Sequence, residues 1–464
     1  MAADVVIHST RNHHLTRTME RRTMATCALA FCCAMAAKAQ TAWNLQQCID
    51  YALTNNIQIQ KNRISEQQGE VALWQDKGAL FPSLSFSTSH TMGYRPFEEG
   101  TNIVQNGQVT NTKNKVTYQG SYGLNARWTV WNGGVNQKNI EKQKVQNEIT
   151  RLNTEQSELT IQEQIAQLYV QIMYTKEAVQ VNEKLQKTAQ SQYERGVEMM
   201  NQGQMAKADV VQLEAQLSSA RYDVTSSQTQ LLNYKRQLKA LLELDLNTEF
   251  DVSGQIPTDE QVLALIPSAQ EAYAKALESR PEIKSAQLAI DAANMQMNIA
   301  KRGYYPSVSI SASLGDSHYS ASRNDVGKQM KDNLNLSAGV TVSVPIFDNR
   351  SNRSNVKSAR LEQANSKLDL QDKKNSLSST IEQYWISANS NQQNFLAARD
   401  RVKSQEASYE LLNEQFQNGL KNTVEVLQGR DNVISAEQDL LQSKYTTLLN
   451  VQLLKFYTGE QIAL

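Results

Sequence analysis

The chain has 464 residues, 40% of them hydrophobic, with 47 basic and 47 acidic side chains and a mean hydropathy of −0.54. A balance of zero charge removes the footprint of a nucleic-acid partner, and the lack of any run of about 18 apolar residues excludes a helical membrane span. Seven prolines and 19 glycines leave few breaks, so very long helices are allowed.

The first segment is a targeting signal. Arg11, Arg17, Arg21 and Arg22 precede the apolar stretch 24–37, and Ala37-Lys38-Ala39 forms an A-x-A cleavage site. This order predicts a secretory signal peptide over 1–39, with Met19 as an alternative start. Bulky Phe31 before Cys32 argues against lipidation. The leader takes Cys27, Cys32 and Cys33 with it, so Cys48 has no disulfide partner and no cysteine metal site forms.

The rest of the chain is written twice. Phe81-Pro82-Ser83-Leu84-Ser85-Phe86-Ser87 returns as Tyr305-Pro306-Ser307-Val308-Ser309-Ile310-Ser311, 224 residues on, and Ala52-Leu53 meets Ala276-Leu277 at the same offset. Val130-Trp131-Asn132 then meets Ile346-Phe347-Asp348 at an offset of 216, which also pairs Tyr193-Glu194 with Tyr409-Glu410 and Gly203 with Gly419. Such register marks an internal duplication. We assign 40–250 to the first repeat, 251–270 to a linker and 271–464 to the second repeat.

Each repeat reads helix, strand, loop, strand, long helix, turn, long helix. Strands are expected at about 82–94, 116–131, 306–316 and 334–347, because apolar and small polar residues alternate there with period two. Leu84, Phe86, Thr88, His90 and Met92 share one face of the first, against serines on the other. Phe81, Trp128, Trp131, Tyr304, Tyr305 and Phe347 collect at one end of the strands, and Tyr94, Phe97, Tyr118 and Tyr319 at the other. Two such aromatic girdles favour a lipid-facing sheet, although a soluble sandwich also alternates. The loops 95–115 and 317–333 are polar and would face outside the cell. Four strands cannot close a barrel, and open edges in lipid are costly, so several copies must share one wall.

Helix pairs follow at about 134–244 and 352–457, with apolar residues spaced by three, four or seven. The first helix of each pair approaches roughly 100 Å at 1.5 Å per residue, a coiled-coil length. The abundant Gln, Ser, Asn and Thr between apolar positions suit a water-lined tube. No G-x-S-x-G, P-loop or metal cluster is present, and of the five histidines only His90 and His318 lie beyond the leader. An enzyme is therefore excluded. An extracytoplasmic structural coiled coil or adhesin explains the helices equally well, but not the strands.

In order and in duplicate, these pieces resemble the TolC-like outer-membrane efflux family over about residues 45–459. The resemblance rests on the Ala-Leu…Phe/Tyr-Pro-Ser blocks, on Val344-Pro345-Ile346-Phe347-Asp348, and on Tyr193-Glu194…Gly203…Asp209-Val210 with Gly419…Glu425-Val426-Leu427. It implies a mainly α-helical chain that gives four strands to a homotrimeric 12-stranded β-barrel in outer-membrane lipid of a Gram-negative cell, continuous with a periplasmic α-helical barrel. It implies an exit duct, passive towards drugs and other small solutes, that works with a periplasmic adaptor protein and an inner-membrane transporter and needs no cofactor. A duct for secreted protein is the alternative cargo. The helix turns near 200–209 and 418–428 would form the pore tip, with Lys421, Glu425, Gln428 and Asp209 at the constriction and Gly203 and Gly419 marking adaptor-docking turns. Relatives carry a second acid where Gln428 stands here, so the acidic ring would be thinner.

Overall fold

The computed structural model describes residues 42–94, 96–97, 101–105, 108–112, 115–245, 247–254, 256–320, 322, 324–418 and 420–462. The expected leader 1–39 and Gly419 lie outside the described residues. The first repeat runs β1 (Ala42–Trp43), α1 (Leu45–Asn55), α2 (Ile57–Gly78), β2 (Ser83–Tyr94), β3 (Thr101–Gln105), β4 (Gln108–Thr112), β5 (Val116–Trp131), α3 (Val135–Asn201) and α4 (Lys207–Leu241). A connection with β6 (Asp251–Val252) and α5 (Asp259–Val262) leads to α6 (Ala269–Ser279), α7 (Pro281–Arg302), β7 (Ser307–Tyr319), α8 (Val326–Asn333), β8 (Asn335–Ser343), α9 (Ser351–Gln417) and α10 (Thr423–Tyr457).

The duplication holds to the residue. α1 and α6 both have 11 residues, and α2 and α7 both have 22. α3 and α9 both have 67, and α4 and α10 both have 35. One expectation changes: each half opens with two helices, not one. The first break is made by Asn56, whose side chain accepts from the backbone N–H of Gln58 (2.9 Å) and Ile59 (3.4 Å) and so caps α2. Its counterpart is Arg280, followed by Pro281 at the first position of α7, where a missing N–H costs nothing.

The segment 251–270 is more than a linker. β6 pairs in parallel with β1, Ala42 against Asp251 and Trp43 against Val252. Asp251 bridges Lys176 (3.0 Å) and Lys235 (2.9 Å), which ties this clasp to α3 and α4. Burial alone would raise the Asp251 carboxyl, but the two ammonium groups and the Val252 N–H hold it below the ordinary value.

The four-stranded sheet has the order β2-β5-β7-β8, antiparallel throughout. Three expectations are revised here. The fourth strand ends at Ser343 and not at 347, because Pro345 has no N–H to give to a ladder. At the equivalent place β5 has a bulge between Thr129 and Trp131, which puts Trp131 rather than Val130 opposite Val308. The polar loops also contain structure, namely the β3–β4 hairpin and α8. Asn333 at the end of α8 donates its side-chain N–H to the Ser317 carbonyl (2.6 Å), and Gln329 accepts from the Tyr319 N–H (2.8 Å).

Two cores of one design hold the helices. In the first repeat Cys48, Ala52, Ile59, Ile161, Ile165 and Leu238 are buried together. In the second, Ala272, Ala276, Ile283, Leu377, Ile381 and Leu454 take the equivalent six places. Cys48 therefore fills an alanine-sized core position, and burial pushes its thiol up to about 12. The first core also gathers Tyr445, Leu453 and Phe456 of α10, so the end of α10 lies between both cores.

Candidate functional site

The sheet has two chemically opposite faces. Cross-strand register puts Phe86, Leu124, Leu314 and Leu336 in one row on one face. The adjacent row on the other face is Ser85, Asn125, Ser313 and Ser337, where the two serine hydroxyls are bonded at 2.8 Å. The apolar side chains are exposed, Leu84 at 69%, Phe86 at 68% and Leu336 at 78%. An apolar face this large is no soluble surface. Among the described residues, neither outer edge, β2 or β8, has a partner strand.

At the helix end of the sheet, Phe81, Trp128, Trp131, Tyr304, Tyr305 and Phe347 are all exposed. They come together because β2 and β7 begin there while β5 and β8 end there. The Trp128 indole N–H donates to the Leu80 carbonyl (2.9 Å), which fixes a polar handle beside an apolar body. At the far end the aliphatic face gives way to His90, Tyr118, Tyr122 and His318, with ring centroids 5.5–6.0 Å apart. The Tyr118 hydroxyl and His90 Nδ1 are 2.8 Å apart. His318 is buried over Gly120, in the space a Cβ there would need. These histidines serve the packing of the sheet.

The opposite end of the molecule is formed by the two helix turns. In the first, Gly203 has φ +73°, its N–H donates to the Met200 carbonyl (2.9 Å), and the Gln204 N–H donates to Met199 (2.8 Å). This is a left-handed helix cap, which glycine permits without strain. At the second turn the Leu420 N–H donates to Gln415 at 2.9 Å, the equivalent bond. Gly203 has open space around it.

The four expected constriction residues do not form one cluster. Lys421 Nζ lies 2.5 Å from Glu425 Oε1. Glu425 also closes a capping box with Asn422: its N–H donates to Asn422 Oδ1 (3.0 Å) and its Oε2 accepts from the Asn422 N–H (3.2 Å). Lys421, and then the Asn422 N–H, hold the Glu425 carboxyl below the usual value. Gln428 turns to Asn432 on the same helix, its Nε2 donating to Oδ1 at 3.3 Å. Asp209 sits in the first turn of α4, and no hydrogen bond or ion pair joins it to this group among the described residues.

Sequence reasoning missed the group that ties the hairpins together above the tip. Arg430 of α10 is buried; it donates to Gln192 Oε1 of α3 (2.7 Å) and to Asp431 Oδ1 (3.0 Å), while its Nε has no partner. Asp431 in turn accepts from Gln216 of α4 (3.0 Å). The signal was present: Arg430 follows Val426 and Leu427 on the apolar stripe of α10, where a charge needs a reason. Nearer the sheet, Glu163 of α3 accepts from the hydroxyls of Tyr384 (2.5 Å) and Tyr457 (3.1 Å). Burial, then the carboxylate, drives both phenols well above their usual value, so they remain donors.

Among the described residues no group of three or more His, Cys, Asp or Glu could hold a metal ion, and no helix is long and apolar enough to cross a membrane. That says nothing of strands. The family description "Outer membrane efflux protein" matches residues 48–243 and 272–460. The outer membrane efflux protein BepC of Brucella suis is 21% identical over 383 residues, 80% of this chain and 78% of BepC. The outer membrane protein TolC of Salmonella enteritidis is 23% identical over 430 residues, 90% of this chain and 82% of TolC. The crystal structure of the Campylobacter jejuni CmeC outer membrane channel superposes with a TM-score of 0.74 at 20% identity, over 90% of this chain and 87% of CmeC. The two matched segments coincide with the two repeats, and the chain is a member of the outer membrane efflux protein family, a protein of the outer membrane.

Proposed function

We propose that three copies of this chain close a 12-stranded barrel and serve as the exit duct of an efflux or secretion assembly. One observation carries this reading: the sheet joins a mostly apolar face to a serine-rich face and leaves the outer edges of β2 and β8 unpaired among the described residues. In hydrocarbon each unpaired backbone group costs several kcal/mol. The edges are therefore completed by sister copies, the aliphatic face meets lipid and the serine face meets water. The number three follows from the family resemblance.

The 67-residue helices extend roughly 100 Å from the sheet at 1.5 Å per residue. Exposed Val211, Tyr222 and Leu232 on α4 and Leu361 and Leu368 on α9 supply the apolar contacts between copies. The two turns form the periplasmic tip, with Lys421, Glu425, Gln428 and Asp209 at its constriction. A periplasmic adaptor docks around Gly203 and Gly419 and connects the duct to an inner-membrane transporter. Small solutes such as drugs pass without being bound, because nearly all of the strand wall is uncharged.

The test is the mass of the cross-linked, detergent-solubilised particle, with single-channel recording of the same material. A trimer mass and discrete conductance steps are expected. A monomer that stays in solution without detergent rejects the proposal and favours a structural coiled coil. Glu425→Ala should raise anion preference by freeing Lys421; unchanged ion selectivity would remove these residues from the pore. Gly203→Trp should leave the trimer intact and lower export in cells.

A further inference from the structure

The serine face of the sheet carries a single charge. In all four strands the inward positions are Ser, Thr, Gly, Asn or Gln, except Arg127 of β5 and the neutral Tyr319 at the far end of β7. The acidic and imidazole side chains of the four strands, His90, Asp316 and His318, alternate onto the apolar face, as their pairing with Gly120 and Tyr122 shows. Arg127 stands in the row Ser83, Arg127, Ser311, Gly339, so no large neighbour covers it. It is exposed, and among the described residues no hydrogen bond or ion pair engages its guanidinium. Because Ser83 is the first residue of β2, Arg127 lies at the rim where the strands meet the helices.

Given the closed trimer argued above, on which this inference rests, three copies place three guanidinium groups in one plane. Twelve strands spaced about 4.8 Å apart and tilted about 40° give a wall of roughly 12 Å radius. An extended arginine spans about half of that. Every path through this plane then lies within about one Debye length, roughly 8 Å, of a guanidinium. Elsewhere on the strand wall nothing competes for an anion. We propose that Arg127 forms an anion-binding collar at the inner rim of the barrel, which holds multivalent anions, polyphosphorylated or polycarboxylate solutes, by bidentate contacts as they pass from the helical tube into the barrel. The planar fork of arginine suits such oxyanions better than the point charge of lysine.

The experiment uses the full trimer in a planar bilayer, with inorganic tripolyphosphate added on the outer side. Tripolyphosphate should interrupt the wild-type current, and Arg127→Gln should raise the half-blocking concentration about tenfold or more, with Arg127→Lys in between. The exposed site predicts that both variants keep the wild-type trimer mass, which the same preparations report. Absence of block in the wild type, or equal block in Arg127→Gln, overturns the collar and leaves the channel standing. Absence of any conductance from the assembled wild type removes both.

Discussion

The two helical hairpins have the same lengths and reversed packing. In the first, Gly196 of α3 faces Leu213 of α4, and a Cβ on the glycine would lie 2.6 Å from the leucine Cδ1. In the second, Gly429 of α10 faces Leu412 of α9, again with 2.6 Å between a built Cβ and the leucine Cδ1. At the offset of 216, Gly196 is equivalent to Leu412 and Leu213 to Gly429. Each hairpin holds one small and one large residue at this crossing, but on opposite helices. The same freedom occurs at the helix breaks. Asn56 donates to the Leu241 carbonyl (3.0 Å), while its counterpart Arg280 lies 4.4 Å over the ring of Tyr457, the counterpart of Leu241. What the duplication preserves is pair volume and the place of each junction, not the residue at a single position.

The strongest way to break this comparison is to move one half's solution into the other. Gly196→Leu overpacks the first hairpin and should cost about 3 kcal/mol or more. Adding Leu213→Gly recreates the second hairpin's arrangement and should recover most of the loss, with strong non-additivity in a double-mutant cycle. Thermal unfolding of the detergent-solubilised protein reads the result. Simple addition of the two losses would mean that the swap is coincidental.

The hairpins also differ in how they are covered. α10 packs on α3, α5 and α6 besides α9, while α4 leaves Tyr222 and Leu232 exposed. Arg430 belongs to that covered side. Arg430→Met removes the bond to Gln192 and should cost about 2 kcal/mol, with larger or more frequent conducting states as the hairpins separate near the tip. The reciprocal change in the less covered hairpin, Glu214→Met at the position equivalent to Arg430, should do little. Equal effects would remove Arg430 as a tie between the hairpins.

Much of this architecture was legible in the sequence because it rests on periodicity. The strands follow period two, the long helices follow spacings of three and four, and the repeat of Phe81-Pro82-Ser83 in Tyr305-Pro306-Ser307 fixes the register between halves. What escaped was local or long-range. The break at Asn56 was invisible because asparagine is tolerated inside a helix pattern, and its role depends on the Leu241 carbonyl 185 residues away. The β1–β6 clasp has two residues per strand, too short for any period. The Lys421–Glu425 ion pair also escaped, because spacing along a helix tells that residues share a face but not that one neutralises the other. Arg430 stood out as a charge on an apolar stripe, but its partner Gln192 was hidden because it lies on α3, in the other repeat.

Of intermediate size is the helix break itself. Asn56→Ala removes the cap of α2 and leaves the Leu241 carbonyl without this donor, for an expected loss of about 1 kcal/mol. Asn56→Asp keeps the cap acceptor and loses only the donor, so it should fall between Ala and wild type. If Asn56→Asp is as damaging as Asn56→Ala, the bond to Leu241 matters more than the cap, and the two breaks are closer in kind than their residues suggest.

The smallest expected effect separates the two tip turns. Both helices carry an acid in the first turn, Glu425 of α10 and Asp209 of α4, but α10 also has a side-chain cap from Asn422, while the N-cap of α4 is Ala206, which makes no side-chain cap bond. The Glu425 carboxyl is held low by Lys421 and the Asn422 N–H, so the folded turn binds a proton less readily than the unfolded one. Its contribution to stability is therefore complete above the ordinary carboxylate pKa of about 4.3 and is lost as pH falls through the lower folded value. Because Glu425 is exposed, water screens the effect and only local opening should respond. Amide hydrogen exchange at the start of α10, corrected for its intrinsic pH dependence, should show protection falling on acidification. In Glu425→Gln the protection should be lower and flat with pH. An identical pH response in Glu425→Gln would show that the pair with Lys421 does not hold this turn.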